Sequence, residues 1–459
     1  MGAREPLKVE TDEVLAEFLT ALREAADPIG AAAWLVGGCV RDRLLGRPNP
    51  DFDVVVEDGL GQRLAAEFAR STGSPKPVLF ERFGTAQVRW GGHLVEFASS
   101  RAESYAEDSR KPEVRAATLA EDLQRRDFTV NALLMDLDGV VHDPLGAGLR
   151  DLGDRVLRTP REPEETFRDD PLRMLRAVRF AAQLGFELDP ALPPAMRAAR
   201  DRLRPPVLSV ERSADELRKM LVSERPRLAF ELLSETELLE IVLPELEACR
   251  GVEQRGWHTA DVYGHTLAAV QLAPPDLTVR LAALLHDVGK PVTATPDGAF
   301  HGHEVVGAGL AEAALKRLRF SNAEAMRVAK LVRLHLRPVF YSSDWTDGAV
   351  RRLARAAGDL LWPLIELARA DIGASAYPHP EKLEELARRL RTALEEMPSR
   401  VAPEVSGGDL MRELGLPPGP EVGRLKARLE ELVVEGELDP DREAVLDYVR
   451  AHREELLHG

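Results

Sequence analysis

The chain has 459 residues, of which 44% are hydrophobic and 30% are charged, enough for about three domains of roughly 150 residues each. Its two cysteines, Cys39 and Cys249, exclude a disulfide scaffold and a four-cysteine zinc site, so any metal must be held by His, Asp and Glu. The net charge of −16 argues against a general polyanion binder, although residues 145–219 carry a net charge of +2 and residues 376–459 one of −7. A nucleic acid would therefore bind along the middle of the chain.

The first residues of the chain are charged and lack the apolar core of a signal peptide. No stretch approaches the roughly 18 consecutive apolar residues of a membrane span. We therefore expect a cytoplasmic protein with no membrane partner. The sequence leaves the oligomeric state open.

Runs typical of β-strands occur only near the start of the chain. They cover residues 31–38, 51–57, 86–90, 93–99 and 128–143. In the last of them, the segment from Asp136 to Gly139 predicts a hairpin turn.

The pattern changes at about residue 165. Apolar residues then recur every three or four positions, as at Leu172, Leu175 and Val178, which predicts a helix that Gly185 ends. The remainder is predicted to be helical, with joints at the proline-rich breaks near 203–206, 273–275, 376–380 and 416–420. The prediction is an α+β protein with a mixed-sheet head followed by an all-α body.

The segment from Trp34 to Glu57 predicts a strand, a glycine turn, a helix, a short loop and a second strand. Gly37 and Gly38 permit a tight turn whose N–H groups form a cradle for phosphate oxygens, and Arg41 adds a cation one helical turn later. The alternative is a turn that serves packing only.

Two aspartates at the start of the second of these strands indicate a cation site. Asp51 and Asp53 are two residues apart, so their side chains lie on one face of the strand, where two like charges are costly unless a cation neutralises them. Hard oxygen ligands suit Mg²⁺, and a two-metal site activates an attacking hydroxyl and stabilises a leaving pyrophosphate. Glu96, on another predicted strand, is a third candidate ligand, unless it is a strand residue facing solvent.

Three ordered motifs resemble a known family. Residues 35–46 followed by Asp51-Phe52-Asp53, the run Arg125–Ala132 and the run Asp169–Phe180 are similar to the bacterial class II tRNA nucleotidyltransferases, which are CCA-adding enzymes and poly(A) polymerases, here with an HD domain. The resemblance implies a polymerase beta-like nucleotidyltransferase head in which Asp51 and Asp53 hold Mg²⁺ and, with Glu96, are catalytic. The nucleotide would be held by Gly37, Gly38, Arg41, Arg126, Asp127, Asn131, Arg176 and Arg179. Asp169 departs from the family's usual glutamate and receives no role.

The resemblance further implies that Asp170 and Arg173, an i, i+3 pair on the neck helix, read the incoming base. A carboxylate only accepts hydrogen bonds and a guanidinium only donates them. CTP and ATP both offer an amino donor beside a ring acceptor, whereas UTP and GTP offer the reverse and would leave buried groups unpaired, at about 1–3 kcal/mol each.

The implied function is addition of CCA to tRNA 3′ ends, in which the 3′-hydroxyl attacks the α-phosphorus of CTP or ATP. Residues 99–124 resemble the full-length flexible loop of CCA-adding enzymes; the alternative is an ordinary connection. An A-adding enzyme is the first alternative. The acidic end of the chain disfavours a poly(A) polymerase. A catalytically silent RNA-binding or HD-regulatory protein is the alternative from another class.

A second set of residues resembles the ligands of HD phosphohydrolases. His265, His286, Asp287 and Asp371 follow the family order, and His301, His303 and His335 are further candidates. Such ligands suit Mn²⁺, Ni²⁺ or Zn²⁺ and would support phosphatase or 2′,3′-cyclic phosphodiesterase activity on tRNA ends. The alternative is that these histidines are core or capping residues of a scaffold.

The expected domains follow from these resemblances. They are the catalytic head at 1–150, a helical neck and body for base selection and tRNA binding at 151–250, the HD domain at 251–375 and a helical tail at 376–459. In the tail, residues 418–450 predict a pair of amphipathic helices.

Overall fold

The computed structural model describes residues 7–9, 12–81, 84–104, 113–116, 118–254, 257, 260–396, 403–435 and 437–458. The chain divides into two compact units, residues 1–242 and residues 243–459, and each is described by itself.

The first unit contains a seven-stranded mixed sheet. Its strands are β1 (Ala33–Val36), β2 (Phe52–Val56), β3 (Val78–Phe80), β4 (Thr85–Trp90), β5 (His93–Ser99), β8 (Leu134–Met135) and β9 (Val141–His142). Their order in the sheet is β3-β4-β5-β2-β1-β8-β9, in which β2 and β5 are parallel and the other neighbours are antiparallel. Each predicted strand segment contributes to this sheet, and the predicted hairpin joins β8 to β9. β3 was not predicted from the sequence. Its three side chains are all exposed, so they show no alternation of buried and exposed positions.

Four further strands form two small pairs. They are β6 (Arg101–Ser104) with β7 (Glu113–Ala116), and β10 (Val156–Leu157) with β11 (Glu187–Leu188). The prediction that everything after residue 165 is helical is wrong at β11, since this strand pairs with residues 31 positions earlier. The predicted loop at 99–124 contains β6 and β7, and its residues 105–112 and 117 lie outside the described residues.

The helices of the first unit are α1 (Glu13–Ala26), α2 (Gly38–Leu44), α3 (Gly61–Ser71), α4 (Leu119–Gln124), α5 (Gly148–Asp154), α6 (Pro163–Asp169), α7 (Leu172–Leu184), α8 (Leu192–Ala199), α9 (Val210–Leu221), α10 (Pro226–Glu235) and α11 (Leu239–Val242). α7 confirms the predicted neck helix, and Gly185 ends it with φ 70° and an N–H donated to the carbonyl of Ala181.

The two faces of the sheet have different neighbours. On one face, Phe52 of β2 stacks on Phe18 of α1 with ring centroids 3.9 Å apart, and Phe97 of β5 packs on Phe68 of α3. Side chains alternate along a strand, so Asp53 of β2 and Glu96 of β5 face the other way. The aromatic core therefore holds one face of the sheet closed and directs the acidic side chains to the opposite face.

The secondary-structure elements described in the second unit are all helices. Its helices are α12 (Pro244–Glu247), α13 (Val262–Leu272), α14 (Leu277–Leu285), α15 (Lys290–Thr293), α16 (His303–Arg317), α17 (Asn322–Leu334), α18 (Leu336–Val339), α19 (Asp347–Ala357), α20 (Leu361–Gly373), α21 (Glu381–Glu396), α22 (Gly407–Leu414), α23 (Pro420–Glu435), α24 (Arg442–Ala451) and α25 (Arg453–His458).

The proline-rich breaks separate helices as predicted, at 273–275 between α13 and α14, at 376–380 between α20 and α21, and at 416–420 between α22 and α23. The predicted amphipathic pair near the end of the chain is α23 with α24, whose buried Leu429 and Val445 share one apolar core. Among the helices in the described part of the chain, none is both long and apolar enough to cross a membrane.

Candidate active site

The glycine turn after β1 brings two motifs together. Gly37 has φ 79° and precedes α2. A Cβ atom at this position would lie 3.3 Å from Nη1 of Arg126 and 3.6 Å from Oδ2 of Asp53. A side chain here would therefore both strain the backbone and crowd the two charged groups. Nη1 of Arg126 is the atom that lies beside the turn, Nη2 donates to Asp122 at 3.4 Å, and Nε is buried and makes no hydrogen bond within the described structure.

The acidic residues flank the same position. Asp53 and Glu96 are direct partners across the parallel pair β2–β5, and Gln87 donates a 3.2 Å hydrogen bond to Glu96. Asp51 is exposed and lies one residue before β2, not within the strand as predicted. Burial raises the pKa of Asp53 to about 6; Glu96 and Asp51 add to this, and Arg126 opposes it. A cation would relieve this cost.

The donor set of the head suits a hard divalent ion, because three carboxylates on neighbouring segments offer oxygen ligands. These carboxylates are not drawn into a tight cluster, however. Where the described residues do bring three ligand atoms within 4.8 Å of one another, they are His and Asp residues of the second unit.

A buried hydrogen-bond chain connects all three motifs. Arg176 of α7 donates to Oδ2 of Asp127 through Nε at 2.8 Å and Nη2 at 2.6 Å. The Asn131 amide donates to Oδ1 of Asp127 at 2.9 Å, and Nη1 of Arg41 donates to Oδ1 of Asn131 at 2.5 Å. Burial alone would raise the pKa of Asp127, but Arg176 and Asn131 outweigh it and hold this pKa well below its usual range. Asp127 therefore orients other side chains instead of facing a ligand alone.

Phe180 is at the centre of the arginines and was not singled out from the sequence. The guanidinium carbons of Arg41, Arg176 and Arg179 lie 4.9, 5.3 and 3.9 Å from the centroid of its ring. Glu216 of α9, also missed, forms a buried ion pair with Arg179. The third motif placed Phe180 beside these arginines in sequence, whereas the partnership with Glu216 spans 37 residues and leaves no local signal.

The proposed base-reading pair does not lie on one helix, which corrects the prediction. Asp170 is extended, with φ −140°, and follows α6, whereas Arg173 is the second residue of α7. The cause is Pro171, since the residue before a proline is kept out of the helical region. Asp170 nevertheless stays beside Arg173, whose N–H donates to its carbonyl at 3.1 Å.

Both side chains of this pair have protein partners. Asp170 accepts from the N–H of Leu172 and from Nη2 of Arg212, each at 3.2 Å. Arg173 is 8% exposed and donates to the carbonyls of Arg125 and Thr166. The sequence analysis missed Arg212. Asp169, which received no role, pairs with Arg161.

The second unit brings the predicted histidines and aspartates together around Asp287. Oδ2 of Asp287 lies 3.2 Å from Nε2 of His286 and 3.9 Å from Nε2 of His265. Its other oxygen, Oδ1, lies 3.4 Å from Nε2 of His303 and 3.9 Å from Nε2 of His335. Asp371 lies 3.0 Å from Nε2 of His265. Asp287 thus stands between two groups of ligands, and we name these six residues the His–Asp cluster.

The remaining histidine candidate does not join them. His301 is exposed and precedes Gly302, which has φ 71°, whereas His303 begins α16 and is buried. His301 therefore lies outside the His–Asp cluster.

All four buried histidines have the same orientation. Their Nδ1 atoms approach backbone carbonyls, those of Ala374, Ala283, Phe300 and Val332 for His265, His286, His303 and His335 respectively. This directs each Nε2 into the cluster, the arrangement that fixes imidazoles as metal ligands. Nε2 of His303 is buried without a hydrogen-bond partner in the described structure. The residues present therefore fit a divalent metal.

The histidines of the His–Asp cluster have pKa values that shift in opposite directions. Burial lowers the pKa of His286, but Asp287 outweighs it and raises the value to about 9. Burial and the neighbouring His286 lower the pKa of His335 to about 4. Lys290 adds a 2.6 Å hydrogen bond to Asp287 and a 2.7 Å one to Gln254. Two buried aspartates are thus balanced by His286 and Lys290.

Three family models match successive parts of the chain. The poly A polymerase head domain matches residues 33–158, the probable RNA and SrmB-binding site of polymerase A matches 185–250, and the HD domain matches 258–372. An A-adding tRNA nucleotidyltransferase of Deinococcus radiodurans is 36% identical over 92% of this chain and 96% of its own length. The chain belongs to the tRNA nucleotidyltransferase family. This confirms the family predicted from the three motifs.

Other members of the family differ in what their names say they add. A CC-adding tRNA nucleotidyltransferase of Thermus thermophilus is 37% identical over 93% of this chain and 96% of its own length. The crystal structure of Bacillus stearothermophilus CCA-adding enzyme in complex with CTP has a TM-score of 0.72 and 26% identity, and the match covers 97% of this chain and 99% of that one. The α+β fold class with a nucleotidyltransferase head is confirmed.

Proposed function

We propose that this tRNA nucleotidyltransferase adds C, C and A in turn to the 3′ end of tRNA, using CTP and ATP and releasing pyrophosphate. The observation that carries the proposal is the convergence of the three motifs. The glycine turn meets Asp53 and Arg126, and the chain of hydrogen bonds from Arg41 to Arg176 joins that point to the neck helix.

The residues of the head have separable roles in this reaction. Above its pKa of about 6, Asp53 is ionised and, with Asp51 and Glu96, presents oxygens that would hold Mg²⁺. When bound, this ion supplies the positive charge that favours an ionised 3′-hydroxyl and stabilises the leaving pyrophosphate. Arg126, whose Nη1 lies beside the glycine turn, donates to the triphosphate. Asp127 fixes Arg176 and, through Asn131, Arg41, so that these cations need no reorganisation when the nucleotide arrives.

Selection of C and A follows from Asp170 and Arg173. The first has only acceptors and the second only donors, which matches the amino group and ring nitrogen that cytosine and adenine share. The backbone hydrogen bond between the two residues and the contacts of Arg173 with Arg125 and Thr166 hold this pattern in place. Uracil and guanine present the opposite pattern and would leave buried groups unpaired.

The test is incorporation of labelled CTP and ATP into tRNA that lacks its terminal nucleotides. Asp53→Asn is expected to abolish incorporation while the protein stays folded. Asp58→Asn, an exposed position that follows the same strand and already has φ 57°, is the matched control and should retain full activity. Unchanged incorporation by Asp53→Asn would contradict the role of this carboxylate.

Addition of A alone is the second candidate for the head, because the 36% identical relative is named as A-adding. The two candidates differ in their use of CTP. An A-adding enzyme would leave CTP unused on tRNA that lacks all three nucleotides and would act only on tRNA ending in CC.

For the second unit we propose a metal-dependent phosphohydrolase that acts on phosphate at RNA ends. The observation that favours it is the common inward direction of four Nε2 atoms around Asp287. The cluster would hold Mn²⁺, Ni²⁺ or Zn²⁺, which supplies a Lewis acid and lowers the pKa of water. Opening of 2′,3′-cyclic nucleotides to the monophosphate, and release of phosphate from 3′-phosphorylated nucleotides, should require the ion. Both should be lost in Asp287→Asn but not in the exposed control Asp297→Asn. Hydrolysis by the Asp287→Asn variant, or no hydrolysis by the wild type with any of these ions, would contradict the proposal and indicate that the cluster has only a structural role.

A further inference from the structure

An open groove of about 570 Å³ lies in the second unit. It is lined by Glu304, Leu336, Arg337, Phe340, Trp345, Ala349, Arg352 and Leu353. This volume lies within the range of about 300–1,000 Å³ that is typical of small-molecule sites. We name it the aromatic groove.

The aromatic groove begins one residue away from two members of the cluster. Glu304 directly follows His303 at the start of α16, and Leu336 directly follows His335 at the start of α18. Consecutive Cα atoms are about 3.8 Å apart. Two of the residues that line the groove are therefore sequence neighbours of His303 and His335.

The aromatic side chains are arranged to receive a flat group. Phe340 lines the groove and is 63% exposed, so its ring is accessible to a ligand. Trp345 is held by an edge contact with Tyr341, whose ring centroid is 5.5 Å away, and the hydroxyl of Tyr341 donates to Glu385 at 2.8 Å. Stacking on such rings binds any nucleobase, because every base has a π-face.

The charge of the groove favours an anion. Arg337 lines the groove, and in the described structure no hydrogen bond or ion pair engages its guanidinium. Arginine is the residue best suited to phosphate, since its planar fork donates two parallel hydrogen bonds. Aromatic rings next to arginines match a nucleotide better than an apolar peptide, which has no anionic group to pair.

We propose that the aromatic groove is a second nucleotide-binding site, separate from the head, that stacks one base of a phosphorylated nucleotide on Phe340 and Trp345 and binds its phosphate through Arg337. Binding does not depend on transfer by the head or on hydrolysis.

Calorimetric titration of the full-length chain with adenosine 3′-monophosphate, in chelator so that no turnover occurs, tests the proposal. Phe340→Ala and Arg337→Ala are each expected to weaken the groove component of binding about fivefold or more, as the loss of a stacked ring or a charged hydrogen bond does. Arg333→Ala, an exposed arginine four residues before Arg337 that does not line the groove, is the matched control and should bind as the wild type does.

Two further comparisons make the outcome decisive. Ribose 5-phosphate, which has no base, should bind the groove at least about fivefold more weakly than the nucleotide. Incorporation of CTP and ATP by the head should be the same in all three variants, which shows that they are folded. Equal binding of the nucleotide by Phe340→Ala, Arg337→Ala and the wild type, or equal binding of ribose 5-phosphate and nucleotide, would overturn the proposal.

Discussion

Replacement of Asp127 by asparagine tests the chain of hydrogen bonds that joins the three motifs. Asp127 is 8% exposed and accepts from Arg176, from Asn131 and from the N–H of Phe128. Asparagine keeps the size of the side chain but removes its charge, and its amide cannot accept from both partners. The substitution therefore removes the carboxylate to which Arg176 is hydrogen-bonded.

The expected cost follows from the burial of the two partners. Loss of one member of a fully buried ion pair costs about 3–5 kcal/mol. The Arg176 side chain is 34% exposed, so water compensates it in part, and about 2–3 kcal/mol is expected. For a unit of this size, that lowers the melting temperature by about 4–12 °C. The KM for nucleotide should rise in parallel, because Arg176 and Arg41 lose their fixed positions.

Calorimetry of Asp127→Asn, together with nucleotide incorporation, measures both effects. Glu67→Gln is the control, since its ion pair with Arg70 is on the surface of the same unit and should leave the melting temperature unchanged. The reasoning would be refuted if Asp127→Asn melted with the wild type, or if it were destabilised with no change in KM for nucleotide.

The other predictions concern charge, selectivity and metal. The pKa of Asp53 is raised to about 6, and a carboxyl whose pKa is raised in the folded state lowers stability as it ionises. In chelator, the melting temperature should therefore fall as the pH rises through about 6. Asp53→Asn should remove this pH dependence. Because the pKa of Asp127 is depressed, its stabilisation is present above the usual carboxyl range and lost on acidification; Asp127→Asn should lose less stability between about pH 5 and 2 than the wild type does. Arg173→Ala should lower the preference for CTP over UTP by about 5- to 150-fold, as measured by competitive incorporation, since one buried contact contributes about 1–3 kcal/mol. Mn²⁺ should raise the melting temperature of the second unit and chelator should reverse this, whereas a variant with Asp287→Asn should not respond to the ion.

The motifs of the site could be predicted from the sequence more fully than the structure around them. Strong alternation and glycine turns were enough to place β1, β2 and β5, and these bring Asp53 to Glu96. The extended conformation of Asp170 could also have been predicted from the sequence, because Pro171 imposes it. β10 and β11 had no such signal, since two-residue strands form only when distant segments meet.

The partners of the charged residues were the least predictable part of the site. Glu216 pairs with Arg179 and Arg212 with Asp170 only because α9 packs along α7, a contact between helices that local periodicity does not specify. In the second unit, His301 and His303 are chemically equivalent in the sequence. The start of α16 separates them, since it buries one and leaves the other in solvent.

The most direct test of the proposed reaction uses tRNA lacking all three terminal nucleotides, labelled nucleoside triphosphates supplied singly and in pairs, and gel sizing of the product. We predict two additions with CTP alone, a third when ATP is also present, and none with UTP or GTP. Addition of A alone, and only to tRNA already ending in CC, would contradict CCA addition and identify an A-adding enzyme; arrest after two cytidines with ATP present would contradict it equally.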